Sequence, residues 1–341
     1  MSVMLSRRAF AAAAAVLLAA PFIRRPEADE PLELRCSLDT TPSHPRNVAF
    51  RDYLAKLEAA SGGRVKTKLF ESGALFPDLQ VTKALIQGQV EMACPGNWTL
   101  TGFVPDADFV SLPGFYGRPF DLIHKATDGA GGKLVNSEIT DKLGAQVLGL
   151  WLDLGFDNWY STKKPLNSVA DLKDMKLRSP GGVLNSWRIR YFGGIANTTA
   201  WPDVPLAMSQ GTFDGLITTN ESANSSKLVD SGLRHSLQDH QATGLYIPIV
   251  NPAFWTKLGP ELQGIMTKLW ADNIAQYRTG SAKSQENGRA EMAKQGVTFV
   301  DVPQSELEAM RAKMITEQDK VAEEAHISAQ LVKLVMADVG A

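Results

Sequence analysis

Short apolar runs alternate with helical stripes along most of the chain. Residues 32–38 read as a strand. A helix is predicted over 47–60, where Phe50, Tyr53, Leu54 and Leu57 share one face and Gly62-Gly63 ends it. Residues 64–70 alternate, with Val65, Thr67 and Leu69 facing one way and Lys66 and Lys68 the other, as a half-buried strand requires. A helix over 78–88 and a strand over 90–93 follow. The pattern restarts with an apolar strand at 146–153, a short helix at 169–174 capped by Ser168, and a strand at 175–178 ending in Ser179-Pro180-Gly181-Gly182. Helices at 183–192 and 204–210, a strand from Leu216 and an apolar run at 246–250 complete this half. Residues 261–294 then read as one long helix, with Leu262, Ile265, Leu269, Ile274 and Tyr277 at helical spacing and Gly264, Gly280 and Gly288 as expected bends. A charged helical segment, 304–337, ends the chain. Alternation of strand and helix predicts two α/β units built on parallel, doubly wound sheets, and such sheets meet ligands outside the strand carboxyl ends.

The first 25 residues stand apart. Arg7-Arg8 precede an alanine-rich run, 9–23, that carries no charge and is too short and too weakly hydrophobic for a comfortable anchor. This segment resembles a twin-arginine export signal. Its removal takes Arg7, Arg8, Arg24 and Arg25 and no acid, leaving 31 basic residues against 37 acidic ones. The mature chain is then expected to be acidic and soluble in the periplasm. In that compartment Cys36 and Cys94 can pair or remain as free buried thiols.

Charge and motifs exclude several classes. A formal net charge of −2 for the whole chain gives no basic footprint for nucleic acid. Two cysteines rule out a disulfide scaffold and a four-cysteine zinc site. His235 and His240 are five apart and share no helical face, so no metal site is expected. Gly129-Ala130-Gly131-Gly132-Lys133-Leu134 fails both the phosphate-loop and the dinucleotide patterns and reads as a turn into a helix. No GxSxG elbow or HExxH motif is present, and no nucleophile has an evident base. Neither cofactor nor catalytic residue is assigned, which leans toward binding over chemistry.

The order of several pieces resembles the solute-binding proteins of TRAP transporters, the periplasmic receptors of secondary carboxylate carriers. These pieces are Ala60-Ser61-Gly62-Gly63-Arg64-Val65-Lys66, Ala84-Leu85-Ile86-Gln87-Gly88-Gln89-Val90-Glu91-Met92, and Gly102-Phe103-Val104-Pro105 with Leu112-Pro113-Gly114-Phe115. The most telling are Asp171-Leu172-Lys173-Asp174-Met175-Lys176-Leu177-Arg178-Ser179-Pro180 and Gln210-Gly211-Thr212-Phe213-Asp214-Gly215. The resemblance covers nearly all of the mature chain. It implies a two-lobe periplasmic-binding-protein fold with hinge-crossing segments and a long helix spanning both lobes. Lobe one would be 32–155 plus 244–283, and lobe two 156–243 plus 284–341. The partners implied are a small carboxylate held between the lobes and the TRAP membrane subunits.

By the same resemblance Arg178 holds the substrate carboxylate, for which a planar guanidinium fork is suited. Trp201 falls where relatives carry a phenylalanine on the pocket wall. Thr218 aligns with an asparagine of the family that grips the carboxylate, with Thr219 and Asn220 following it. Asp157, in Gly155-Phe156-Asp157-Asn158-Trp159, stands where relatives often have a second arginine. An aspartate there would repel a second carboxylate and favour an amine, a hydroxyl or a cation, or else would pair with Arg178 or Lys176 in the empty site. A monocarboxylate is therefore favoured over a dicarboxylate. Thr40, Asn97 and Trp98 lie just past strand ends of the first unit, and Trp98, Trp159 and Trp201 together suggest either an aromatic-rich pocket or core packing. Asn158, Trp159 and Asn220 complete the candidate set, with Asn251 near a lobe crossing. The readings kept open are a periplasmic enzyme on the same scaffold, or the binding component of another transporter or a sensor.

Overall fold

The computed structural model describes residues 30–340, so the export signal expected over 1–25 lies outside the described residues. In chain order the strands are β1 (Leu32–Ser37), β2 (Val65–Phe70), β3 (Met92–Ala93), β4 (Gln146–Val147), β5 (Leu152–Ser161), β6 (Lys176–Ser179), β7 (Ile195–Thr198), β8 (Gly215–Thr218), β9 (His235–Tyr246), β10 (Ile249–Val250) and β11 (Thr298–Asp301). They form two sheets, ordered β2-β1-β3-β10-β4 and β11-β9-β5-β8-β6-β7.

Both sheets are mixed rather than wholly parallel. β1 pairs parallel with β2 and β3, and β6 with β7 and β8, as βαβ connections require. β10 runs antiparallel to β3 and β4, and β5 antiparallel to β8 and β9. The reversed strands are those that carry the chain between the two halves. Leu152, Leu154 and Tyr246 pack in the first core with Leu34, Phe50 and Trp270, whereas Trp159 and Leu237 pack in the second with Leu177 and Ile217. One continuous ribbon, β5 with β9, thus belongs to both lobes. The expected strand at 146–153 is broken at Gly149, whose φ of 150° lets the chain turn before β5 begins.

The ribbon is irregular where it crosses. Register slips between Asp153 and Gly155 and again between Asp157 and Trp159. At the second slip Asp157 faces Ala242 while Trp159 faces Leu237, so β9 carries extra residues there. His240 in that excursion has φ 45°, uncommon for a side chain with a Cβ, and its N–H donates to Asn158 Oδ1 at 3.1 Å.

The helical run Pro252–Lys294 is two helices meeting at Gly259, whose φ of 68° and ψ of 167° are not helical. Asn251 caps the short first one, accepting from the Phe254 N–H at 2.9 Å. The long helix begins at Pro260, beside the predicted start at 261, and none of Gly264, Gly280 and Gly288 breaks it. Phe254, Leu262, Met266, Trp270 and Tyr277 pack on lobe one and Met292 on lobe two. Gly288 serves contact rather than bending: a Cβ there would sit 2.9 Å from the Asn220 carbonyl oxygen.

The C-terminal boundary needs correction. Helix Ala329–Val339 does not join lobe two. Leu331, Val335 and Val339 are buried with Val110, Val135 and Ile139 of lobe one, and the helix packs on Phe120–Thr127 and Ala130–Leu143. Helix Gln318–Glu324 lies between the lobes: Gln318 accepts from the Gly114 N–H, while Glu324 pairs with Arg190 of helix Val183–Tyr191 at 3.3 Å. Cys36 and Cys94 are both free and buried. Among the described residues no helix is long and apolar enough to cross a membrane.

Candidate functional site

Strand carboxyl ends from both sheets converge on one cleft that is nearly shut, with about 20 Å³ of open space left inside it. β1 delivers Asp39 and Thr40, the segment after β3 delivers Trp98, β6 delivers Arg178, and β8 delivers Ile217 and Thr218. The crossing strands add Leu154, Asp157 and Tyr246, and the helix starting at Asp78 points its first residue inward.

Arg178 lies on a strand of four residues that is buried after its first position, and it is itself only 2% exposed. Its Nε donates to the Thr199 carbonyl at 3.0 Å and its Nη1 to the Ile217 carbonyl at 3.3 Å. The guanidinium carbon stands 5.2 Å from the Trp201 ring centroid, within cation–π range. It forms no ion pair among the described residues. Burial lowers its pKa to about 10, while Asp78, Asp157 and Asp39 oppose that shift, so it stays charged at neutral pH. Two backbone carbonyls orient this cation, and a carboxylate from solution can complete it.

A second guanidinium is already committed. Arg46 Nη2 meets Asp39 Oδ1 at 2.6 Å and Thr40 Oγ1 at 2.8 Å, its Nη1 donates to the Cys94 carbonyl at 2.9 Å, and it lies 3.9 Å from the Tyr246 ring centroid. Burial alone would lower its pKa, but Asp39 and Tyr246 hold it above the ordinary value. Thr40 is correspondingly occupied, donating its own hydroxyl hydrogen to Asn47.

The other acids are less well compensated. Asp78 accepts from the Trp201 N–H at 3.0 Å, and burial followed by the Asp39 charge pushes its pKa up to about 6 against the pull of Arg178. Asp157 is 6% exposed and pairs with neither Arg178 nor Lys176. Burial pushes it up to about 7, with Arg188 and Arg178 opposing and Asp108 and Asp239 adding to the rise. Trp98 and Trp201 form walls, and the buried Trp98 Nε1–H has no acceptor among the described residues. An orphaned donor of this kind is costly unless an occupant satisfies it.

Of the residues expected at the site, Arg178, Trp201, Thr218, Asp157, Trp98 and Thr40 line the cavity. Five others do structural work elsewhere. Asn97 donates to Asp108 and accepts from the Leu245 N–H. Asn158 holds the β9 excursion. Trp159 is buried in the lobe-two core with its Nε1–H on Asp239 at 2.8 Å. Asn220 links Tyr160 to Gln238. Asn251 caps the short helix that starts at Pro252 and donates to the Leu85 carbonyl. The second register slip separates Asp157 from Trp159, which plain alternation would place on one face.

Asp39, Asp78, Tyr246 and Ser222 line the cavity without having been anticipated. Asp39 had a signal, lying just past the β1 end beside Thr40. Tyr246 had none, because the antiparallel crossing that aims it is non-local. Ser222 also marks lobe contact: its Oγ is 3.2 Å from Nε2 of His44, across the cleft. His44 is buried, and burial together with Arg46 holds its pKa well below the usual range. Its Nδ1 accepts from the Arg46 N–H, which leaves Nε2 to donate to Ser222.

Known proteins share this architecture. The profile described as bacterial extracellular solute-binding protein, family 7 (DctP), matches residues 37–325. A C4-dicarboxylate-binding periplasmic protein DctP of Rhodobacter capsulatus is 26% identical over 341 residues, covering 98% of this chain and 99% of that one. The sugar acid binding protein DctPAm of Advenella mimigardefordensis, solved with galactonate, superimposes with a TM-score of 0.85 at 19% identity, covering 91% of this chain and 98% of that one. A TRAP periplasmic solute binding protein of Sulfurospirillum deleyianum, solved with succinate, gives 0.81 at 21% identity over 90% of this chain and 98% of that one. The chain belongs to the bacterial extracellular solute-binding protein family 7, the periplasmic receptors of TRAP transporters.

Proposed function

We propose that this receptor captures a hydroxylated monocarboxylate between its lobes and presents it to the TRAP membrane subunits. Arg178 takes the carboxylate through paired hydrogen bonds, Trp201 and Trp98 cover the carbon skeleton, and Asp78 and Asp157 meet hydroxyl groups. Thr218 contributes one hydroxyl to the ligand. Lobe one is 32–155 with 244–283 and the last helix, and lobe two is 156–243 with the end of the long helix. The relatives are receptors rather than enzymes, and no catalytic step is assigned to the site.

One observation carries the choice of a single carboxylate. The cavity offers one uncommitted guanidinium, Arg178, beside three aspartates. A second ligand carboxylate about 4 Å from Asp157 would cost about 4 kcal/mol against the ionised side chain at an effective dielectric of about 20, and a neutral Asp157 would offer it one hydrogen bond in place of a countercharge. A hydroxyl donating to the same oxygen is favourable. Relatives solved with galactonate and with succinate bracket the two options.

A thermal-shift screen over paired acids tests this reading: glycerate and galactonate against succinate and malate. A native-state ligand raises Tm by mass action. Larger shifts with the hydroxy-monocarboxylates are expected. A strong shift with succinate and none with the monocarboxylates would overturn the proposed selectivity.

A further inference from the structure

The ribbon crossing gathers more buried charge than it compensates. Asp39, Asp78, Asp108, Asp157 and Asp239 are all at most 9% exposed, as are Arg46, Arg178 and Arg188. Arg46 is taken by Asp39. That leaves Asp78, Asp108, Asp157 and Asp239 facing two guanidiniums. Asp157 sits in the middle. Arg178 faces it from β6, Arg188 from helix Val183–Tyr191, Asp108 from the 105–111 segment of lobe one, and Asp239 from β9, while Tyr160 is the neighbouring titratable group on its own strand.

Direct hydrogen bonds do not absorb the excess. Asp108 accepts from Asn97 and Ser111 through Oδ1 alone, and Asp239 from Tyr116 and Trp159 through Oδ2 alone. The buried atoms Asp108 Oδ2, Asp239 Oδ1, Arg188 Nε and both amide atoms of Gln241 have no partner among the described residues. Arg188 donates to the Ser111 carbonyl and to Asn185. Among the described residues no grouping of acids, histidines and cysteines has the geometry to hold a metal ion. A carboxylate arriving on Arg178 adds one more negative charge to a closed interior, where uncompensated charge is costly.

We propose that the proton is a co-ligand of this receptor: closing on a carboxylate anion protonates Asp157, so that capture takes up a proton from solution. The proton comes from water or buffer and rests on an Asp157 carboxyl oxygen, from which it can be donated to the bound anion. Burial already raises Asp108, Asp157 and Asp239 to about 7, and Asp78 to about 6, before any anion enters. A group whose pKa is higher in the closed state favours closure while it is protonated there. Affinity is therefore greatest below about pH 7 and falls as pH rises through that value.

This inference rests on the carboxylate reading above, and calorimetry on the full mature chain separates the two. The probe is whichever of D-galactonate, D-glycerate and lactate gives the largest thermal shift. Titrations in phosphate and in Tris at the same pH differ in enthalpy by the number of protons exchanged multiplied by the difference between the two buffers' ionisation enthalpies. We expect uptake of about one proton near pH 7.5, and Kd rising by up to about tenfold per pH unit above pH 7. Asp157→Asn should still bind but lose most of that uptake, and with it the protonated-carboxyl band that appears in infrared difference spectra on binding. Equal enthalpies in both buffers with a flat Kd between about pH 6 and pH 8.5 would overturn the proton linkage while leaving the carboxylate reading intact. So would affinity that follows sodium concentration at constant pH. Uptake unchanged in Asp157→Asn overturns the assignment to that residue. Failure of every carboxylate to bind removes the underlying reading itself.

Discussion

Replacing Arg178 tests the grip on the anion. Each hydrogen bond between charged partners is worth about 1.5–3 kcal/mol, so a two-bond fork is worth about 3–5 kcal/mol. At about 1.4 kcal/mol per decade, Arg178→Ala should weaken binding by about a hundredfold to a few thousandfold. The substitution also strips the donors from the Thr199 and Ile217 carbonyls, at 3.0 and 3.3 Å. Leaving buried acceptors unpaired costs about 1–3 kcal/mol of stability each, so a fall in Tm is expected as well. Arg178→Lys separates the two effects, since it keeps the charge and loses the fork. Calorimetry with the strongest hydroxy-monocarboxylate, with melting curves on the ligand-free proteins, provides the assay. A lysine variant that melts near the parent temperature yet binds at least tenfold more weakly supports the fork. Binding within threefold of the parent in both variants would refute it, because the anion would then be held elsewhere.

Three further outcomes follow from the packing. Trp98→Phe keeps the wall but removes the orphaned Nε1 donor; it should leave the empty protein at least as stable and weaken binding several-fold, as melting and calorimetry will record. Gly288→Ala places a Cβ about where the Asn220 carbonyl oxygen sits, 2.9 Å away, and should cost about 1–3 kcal/mol in urea unfolding. A variant of unchanged midpoint would show that the long helix is not pressed against lobe two at that point. Cys36 and Cys94 are free, and burial raises both thiol pKa values, so neither should react with Ellman's reagent until the protein unfolds. Rapid reaction of the native protein would contradict their burial.

Local patterns in the chain were legible where the causes were local. The stripe of Phe50, Tyr53, Leu54 and Leu57 is buried on helix Pro45–Ala60 as the spacing requires. Arg178, at the end of an apolar strand before Pro180, was readable because a strand end and a turn are both written in neighbouring residues. Asp157 was singled out for its charge and does line the cavity. Trp159, two positions on, was misplaced because a slip in strand register cannot be seen from one strand alone. Asn97, Asn158 and Asn220 are polar residues near strand ends, and polarity does not distinguish a side chain that meets a ligand from one that ties down a loop.

What the sequence alone determined is many of the individual elements, the two α/β units and the place of Arg178 at a strand end that meets the cleft. These depend on hydrophobic periodicity and on the charge and shape of individual side chains, which act over a few residues. Tertiary structure decided which acids surround that cation, which arginine is spent on Asp39, and which lobe the last helix covers. Asp39 and Arg46 lie only seven positions apart, joined by the turn from β1 into helix Pro45–Ala60, but the meeting of Asp78 with Arg178, and of the last helix with lobe one, brings together segments far apart in the chain. Burial there, rather than residue type, sets whether a carboxyl is charged.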